Sequence, residues 1–152
     1  MTDFLATVPG LSNGQAPLPN VVTAGQPTAA ELAALGAAGV KTVLDLRMPH
    51  EGRGFEEAHV VEQAGMRYVN VPVQGMVSDE AFATVRRELQ GAASAPLLYH
   101  CASANRVGAL MIPHLMLDLK QDQATALKTA QQVGLRDGML AQLALDYVKR
   151  QG

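Results

Sequence analysis

"PLLYHCASANRVG", residues 96 to 108, decides how this chain is read. Residues 96 to 101 are apolar or aromatic up to a histidine and the chain's single cysteine, which reads as a buried strand. Four small or polar residues follow, Ala102 to Asn105, and Arg106 then opens an apolar helical pattern. A thiol attacks as its thiolate. The end of a buried strand is otherwise an ordinary place for a small core cysteine. Here the following helix start offers partial positive charge, and successive loop N–H groups form a concavity for an anion. Arg106 adds a planar fork suited to two oxygens of a phosphate. These features favour an anion-activated nucleophile over a core thiol. Ser103 and Asn105 are expected to fix the loop by bonding to neighbouring backbone. His100, the last strand residue, is expected to point away from the substrate and position the loop.

Working outward, "VVTAG" (21 to 25), "VKTVLDL" (40 to 46) and "MRYVNVPV" (66 to 73) read as three more strands. Helical segments separate them. Thr28 with Glu31 three residues later is a capping box opening the first, which Gly36 or Gly39 can end. Residues 56 to 65 form a short helix, and Ser78 caps the helix that begins at Asp79. From Asn105 onward the pattern is helical throughout, with Pro113 expected to bend the first of these helices. Residues 1 to 19, rich in Pro, Gly and Asn after the first few, read as an irregular lead-in. Alternating strands and helices predict an α/β fold. Its core is a mostly parallel sheet of four to five strands flanked by helices, with a helical C-terminus, as one domain over 1–152. In such sheets ligands gather beyond the carboxyl ends of the strands, where the 101 to 106 loop lies.

Composition limits the function classes. The chain has 152 residues, 48% apolar and 17% charged, with net charge −2, so no basic excess points to nucleic acid or to an anionic membrane. One cysteine allows no internal disulfide, no stretch has the length of a membrane span, and the first ten residues do not resemble a secretory signal. A cytoplasmic location is therefore expected. His50, His59 and Cys101 fit no zinc spacing, so no metal and no cofactor is expected.

"HCASANRVG" resembles the signature of the cysteine-dependent tyrosine and dual-specificity phosphatase superfamily. "PNVVTAGQPTAAELAALGAAGVKTVLDLR" is similar to the first strand, helix and second strand of its small bacterial members, the phosphatase-like domains sometimes joined to β-lactamase-like hydrolases. The resemblance spans roughly residues 18 to 120 and implies a phosphatase-like fold acting on a phosphorylated protein or small molecule. It implies that Cys101 is a nucleophile forming a phospho-cysteine and that Arg106 clamps phosphate. It places His100 in support, with the backbone N–H groups of Ala102, Ser103, Ala104, Asn105 and Val107 facing phosphate.

Departures from the pattern are specific. Four residues separate Cys101 from Arg106, one fewer than in the major phosphatases and the same as in rhodanese-type sulfurtransferases. Ala104 stands where glycine is usual and is strained if that position needs positive φ. Val107 lacks the hydroxyl that in the phosphatases helps the thiolate leave. In the larger relatives an aspartate follows the strand corresponding to "YVNVPV"; here that place reads "QGM". The nearest carboxylates are Asp79 and Glu80, of which Asp79 is the candidate general acid. The 47 to 57 loop, with Arg47, His50, Glu51, Arg53, Glu56 and Glu57, is another source of the acid; it reads otherwise as a solvated polar loop, and if it lines the site Arg47 or Arg53 extends substrate binding. Three readings follow: a phosphomonoesterase, a sulfurtransferase carrying a persulfide on Cys101, and a non-catalytic oxyanion-binding module.

Overall fold

A computed structural model of the chain describes residues 3–151. Five strands form one sheet: β1 (Gln15–Leu18), β2 (Val21–Ala24), β3 (Thr42–Asp45), β4 (Arg67–Asn70) and β5 (Leu97–His100), in the order β1-β2-β5-β3-β4. β2, β5, β3 and β4 run parallel; β1 pairs antiparallel with β2 at one edge. The helices are α1 (Phe4–Thr7), α2 (Ala29–Ala38), α3 (Glu57–Gln63), α4 (Asp79–Gly91), α5 (Asn105–Pro113), α6 (Gln123–Val133) and α7 (Gly138–Gln151).

The α/β expectation with a mostly parallel sheet and helical C-terminus holds, and so do the caps. Thr28 and Glu31 form the reciprocal capping box, and Gly39 ends α2 at φ 117°. The Ser78 hydroxyl accepts the Ala81 N–H. Beyond Pro113 the α5 ladder widens into one π-helical turn, His114–Asp118. The lead-in departs from expectation. α1 is capped by Asp3, and β1 follows. Pro17 hid β1, because a proline inside a strand is tolerated only where its missing N–H costs no ladder bond, as at a sheet edge. Pro19 and Asn20, the latter at φ 64°, then turn the chain into β2.

Side-chain alternation divides the core. Val21, Leu44, Leu97, Tyr99 and Cys101 face α4 to α7. Val22, Ala24, Val43 and Leu98 face the cluster that includes Phe4, Leu32, Leu35 and Val61 from α1, α2 and α3. Register then aligns Ala24, His100, Asp45 and Asn70 in one row across the sheet's carboxyl end. His100 and Asp45, both fully buried, thus meet on the α3 face while Cys101 turns to the other. Neighbouring parallel strands end together, so four loops converge at this edge.

Candidate active site

Cys101 leaves β5 with its sulfur buried, 1% exposed. Gly25 allows the loop to pass close to β2: a Cβ there would lie 2.6 Å from the Ala102 carbonyl oxygen, which instead accepts the Gln26 N–H at 3.1 Å. Ala104 adopts φ 67°, the left-handed conformation anticipated for a glycine position. That geometry costs an alanine about 1–2 kcal/mol. Its methyl is buried against Gly134, whose own φ of 148° and missing Cβ leave the space.

The Gly108 N–H bonds the Ala104 carbonyl at 3.0 Å and begins the α5 ladder, so Asn105, Arg106 and Val107 have no intrahelical acceptor for theirs. Val107 points into the core. Ser103 and Asn105 do hold the loop, but by distant partners rather than neighbouring backbone. Arg136 donates to the Ser103 hydroxyl at 2.9 Å, and Asn105 Oδ1 accepts the N–H groups of Arg136 and Asp137 at 2.7 and 3.1 Å.

Arg106 spends one edge of its guanidinium on Glu51, with Nη1 and Nη2 donating at 2.8 and 2.9 Å, and a further Nη1 bond to the Val73 carbonyl at 3.0 Å. The side-on edge, Nε–H with the second Nη2–H, remains for an oxyanion. The Glu51 bond raises the Arg106 pKa, burial opposes it, and the Cys101 sulfur raises it further. The same bond from Arg106 holds the Glu51 carboxyl at about 2, below its ordinary 4.5, despite opposing desolvation. A depressed carboxyl contributes stability above its unfolded pKa and loses it as pH falls through the folded value. Wild type is therefore expected to lose stability between pH 4.5 and about 2 in a way Glu51→Gln does not. Urea unfolding across that window checks this; parallel losses in the two proteins would refute it.

Behind the loop lies a buried polar network that joins His100 to residues outside the predicted site. Asp45 accepts from the Arg47 N–H (2.8 Å), the Tyr68 hydroxyl (2.6 Å) and Arg53 Nε and Nη2 (3.1 and 2.8 Å). Burial works against the charge of Arg53, but the bonds and charge of Asp45 outweigh it and raise the Arg53 pKa. Burial, reinforced by Asp45, pushes the Tyr68 hydroxyl up as well, so it stays a donor. His100 Nδ1 sits 3.2 Å from the Cys101 carbonyl, and Nε2 sits 2.5 Å from Glu57 Oε2. The imidazole thus bridges the Cys101 backbone and the Glu57 carboxyl through its two ring nitrogens. His100 reaches the Cys101 backbone carbonyl from the α3 face of the sheet, opposite the face to which the Cys101 side chain turns. From Glu57 the bonds continue through Gln26 (2.8 Å), Arg47 (2.7 Å) and Glu51 (3.1 Å) to Arg106. One chain of side chains therefore joins the back of Cys101 to the arginine in front of it.

Ligand atoms of Asp45, Glu57 and His100 lie within 4.8 Å of one another, the spacing of a metal site. Arg53 already bridges the two carboxylates, at 2.8 Å to Asp45 and 3.6 Å to Glu57, so a guanidinium occupies the cation's place.

A cleft of about 520 Å³ opens beside the loop, lined by Glu51, Gln74, Asn105, Arg106 and Asp137, with Met76 and Met139 at its rim. A larger hollow of about 620 Å³ lies behind residues 49 to 58 and reaches none of the 101 to 107 loop, whereas the smaller one reaches Asn105 and Arg106. Asp79 does not line that cleft. It sits exposed in the first turn of α4, ion-paired with Arg150 at 2.6 Å. Asp79, the expected acid, is thus placed away from the cleft, a helix-start carboxylate meeting the cation at the end of α7.

The chain matches the family model described as "Tyrosine phosphatase family" over residues 23–117. It belongs to that family. It is a phosphatase of the cysteine-dependent type, and the sulfurtransferase reading, which rested on loop length, gains no support. No curated protein matches the chain. Among solved structures, a DUF442 protein from Shewanella putrefaciens CN-32 superposes with TM-score 0.80 at 21% identity, covering 97% of this phosphatase and 99% of that chain. TpbA from P. aeruginosa gives 0.70 at 26%, covering 93% and 86%. A Cys-to-Ser variant of TpbA has been solved with phosphotyrosine. The core catalytic domain of a PP-IP phosphatase from S. cerevisiae, in complex with citrate, gives 0.75 at 16%, covering 90% and 86%. Among the described residues no helix is long and apolar enough to cross a membrane.

Proposed function

We propose that this phosphatase hydrolyses a phosphomonoester in two steps on Cys101. The thiolate attacks phosphorus, the Sγ–P bond forms, and the ester P–O bond breaks; water then attacks the phospho-cysteine and the thiolate leaves. The side-on edge of Arg106 takes two phosphoryl oxygens. The N–H groups of Ala102, Ser103, Ala104, Asn105 and Val107 supply donors that stabilise charge as it develops. His100, through Glu57 and Gln26, keeps the loop's backbone where these donors converge.

The observation that carries the reading is the division of Arg106: one guanidinium edge is fixed by Glu51, and the other is left beside the only thiol. A fork held by a carboxylate is positioned before substrate arrives, which lowers the ordering cost of binding. The TpbA–phosphotyrosine complex supports a phosphate monoester as the substrate class. The shallow cleft and its exposed methionines, Met76 at 76% and Met139 at 66%, suit a substrate whose phosphate enters the loop while its carbon part rests outside. Val107 supplies no hydroxyl to the departing thiolate, so the second step is expected to be slow. Mixing with para-nitrophenyl phosphate should give a burst of nitrophenolate, and acid quench should trap one phosphoryl group on Cys101. Turnover with neither burst nor a trapped phosphoryl group would count against the covalent route.

A further inference from the structure

Departure of an ester oxygen needs a proton, and the segment that follows β4, Val71 to Val77, contains no carboxylate. Asp79 is paired with Arg150 outside the cleft. Only two residues lining the Arg106 cleft carry carboxyl groups, Glu51 and Asp137. Glu51 is committed to Arg106 through both of its oxygens and is held ionised, so it has no proton to give near neutral pH.

Asp137 is placed differently. It immediately precedes α7, and its Oδ1 accepts the N–H groups of Met139 and Leu140 at 2.8 and 3.3 Å, a helix cap. Its Oδ2 accepts no hydrogen bond among the described residues. Its own N–H donates to Asn105 Oδ1 at 3.1 Å, so the residue beside Arg106 in the loop sets its position directly. The Arg136 N–H bond to the same oxygen, at 2.7 Å, fixes the turn from its other side. A carboxyl tied to the loop, with one oxygen anchored and the other unbonded, lies in the lining of the cleft that Arg106 also lines.

We propose that Asp137 is the general acid–base of this phosphatase. As the Cys101 Sγ–P bond forms and the ester P–O bond breaks, the Oδ2 proton of Asp137 passes to the leaving oxygen. In the second step the Asp137 carboxylate takes a proton from the attacking water, the new P–O bond forms, the Sγ–P bond breaks, and Asp137 is again protonated. The inference rests on the reading that Cys101 carries the phosphoryl group. It moves the acid from the β4–α4 segment, where the resemblance places it, to the start of α7.

Asparagine caps a helix as well as aspartate does, so Asp137→Asn keeps the Met139 and Leu140 bonds and removes only the proton. The test is kcat/KM for wild type, Asp137→Asn and Asp79→Asn on aryl phosphates of graded leaving-group acidity, with Tm of each protein alongside. Asp137→Asn is expected to lose ~10²-fold or more on phenyl phosphate, whose leaving oxygen needs a proton. It should lose little on 2,4-dinitrophenyl phosphate, whose leaving group departs unprotonated. Asp79→Asn should follow wild type across the series. An equal loss across the series, no loss, or a graded loss in Asp79→Asn instead would overturn the assignment while leaving Cys101 in its role. A wild type that turns over no member of the series would overturn both. Asp137→Ser, which also caps, repeats the comparison if the asparagine variant unfolds.

Discussion

Cys101→Ser is expected to end turnover of para-nitrophenyl phosphate, with a loss on the order of 10⁶-fold, the scale seen when a covalent nucleophile is removed. Nothing else in the cleft replaces it. This is the only cysteine in the chain, and the Ser103 hydroxyl in the same loop is engaged by Arg136. Binding should survive the substitution. The Arg106–Glu51 fork, its bond to the Val73 carbonyl and the His100 bond to the residue-101 carbonyl do not involve the sulfur. Calorimetric titration with inorganic phosphate should therefore show an affinity near that of wild type while turnover falls to background. Undiminished turnover by Cys101→Ser would remove Cys101 from the chemistry. Loss of turnover together with loss of the fold would show up as a lowered Tm and is not the expected result.

The part of this site that was readable beforehand is the part built from consecutive residues. The strand, loop and helix from Leu97 to Pro113 follow one another in the chain, so burial pattern, small loop residues and Arg106 place thiol and cation together without knowledge of the sheet. The caps of Thr28 and Ser78 are local in the same way, and so is the glycine-like conformation of Ala104. The network behind the loop depends on strand order. β5 inserts between β2 and β3, and only that neighbourhood brings His100 level with Asp45 and within reach of Glu57. Periodicity shows that β3 is a buried strand; it does not show which strand lies beside it. By sequence alone these residues read as a solvated loop, because Arg53 and Glu57 are polar types that are rarely buried unless paired. Asp137 escaped notice for a related reason. It lies about three dozen residues beyond Cys101 in sequence, and only the packing of α5 against α6 and α7 brings it to the loop. A signal did exist for the buried pair. Asp45 stands at the end of an otherwise apolar strand, where a charge demands a partner.

That demand makes Asp45 the position where one substitution should harm the fold most. Asp45→Ala leaves the Arg53 guanidinium, 8% exposed, without its principal counter-charge, and strands the Tyr68 hydroxyl and the Arg47 N–H. Breaking a buried ion pair from one side costs about 3–5 kcal/mol, because the surviving charge stays desolvated. For a chain of this size that is a fall in Tm of roughly 6–20 °C. The damage should not stop at stability. Arg53 also donates to the carbonyls of Arg47, Met48 and Glu51, and those bonds shape the loop that presents Glu51 to Arg106. A displaced Arg53 loosens Glu51, and a loosened Glu51 leaves Arg106 free to turn. KM for para-nitrophenyl phosphate should therefore rise in Asp45→Ala even at temperatures where the protein is fully folded. A second substitution separates the two effects. Arg53→Met in the Asp45→Ala background removes the orphaned charge and should restore much of the lost Tm, since a buried pair can often be replaced by apolar side chains at little cost. It should not restore KM, because the carbonyls of the 47 to 51 loop still lack their donor. Thermal unfolding of the two variants is the measurement. A Tm for Asp45→Ala close to wild type would mean that Glu57 alone compensates Arg53, and that the charge at the end of β3 is not what holds the site's rear wall.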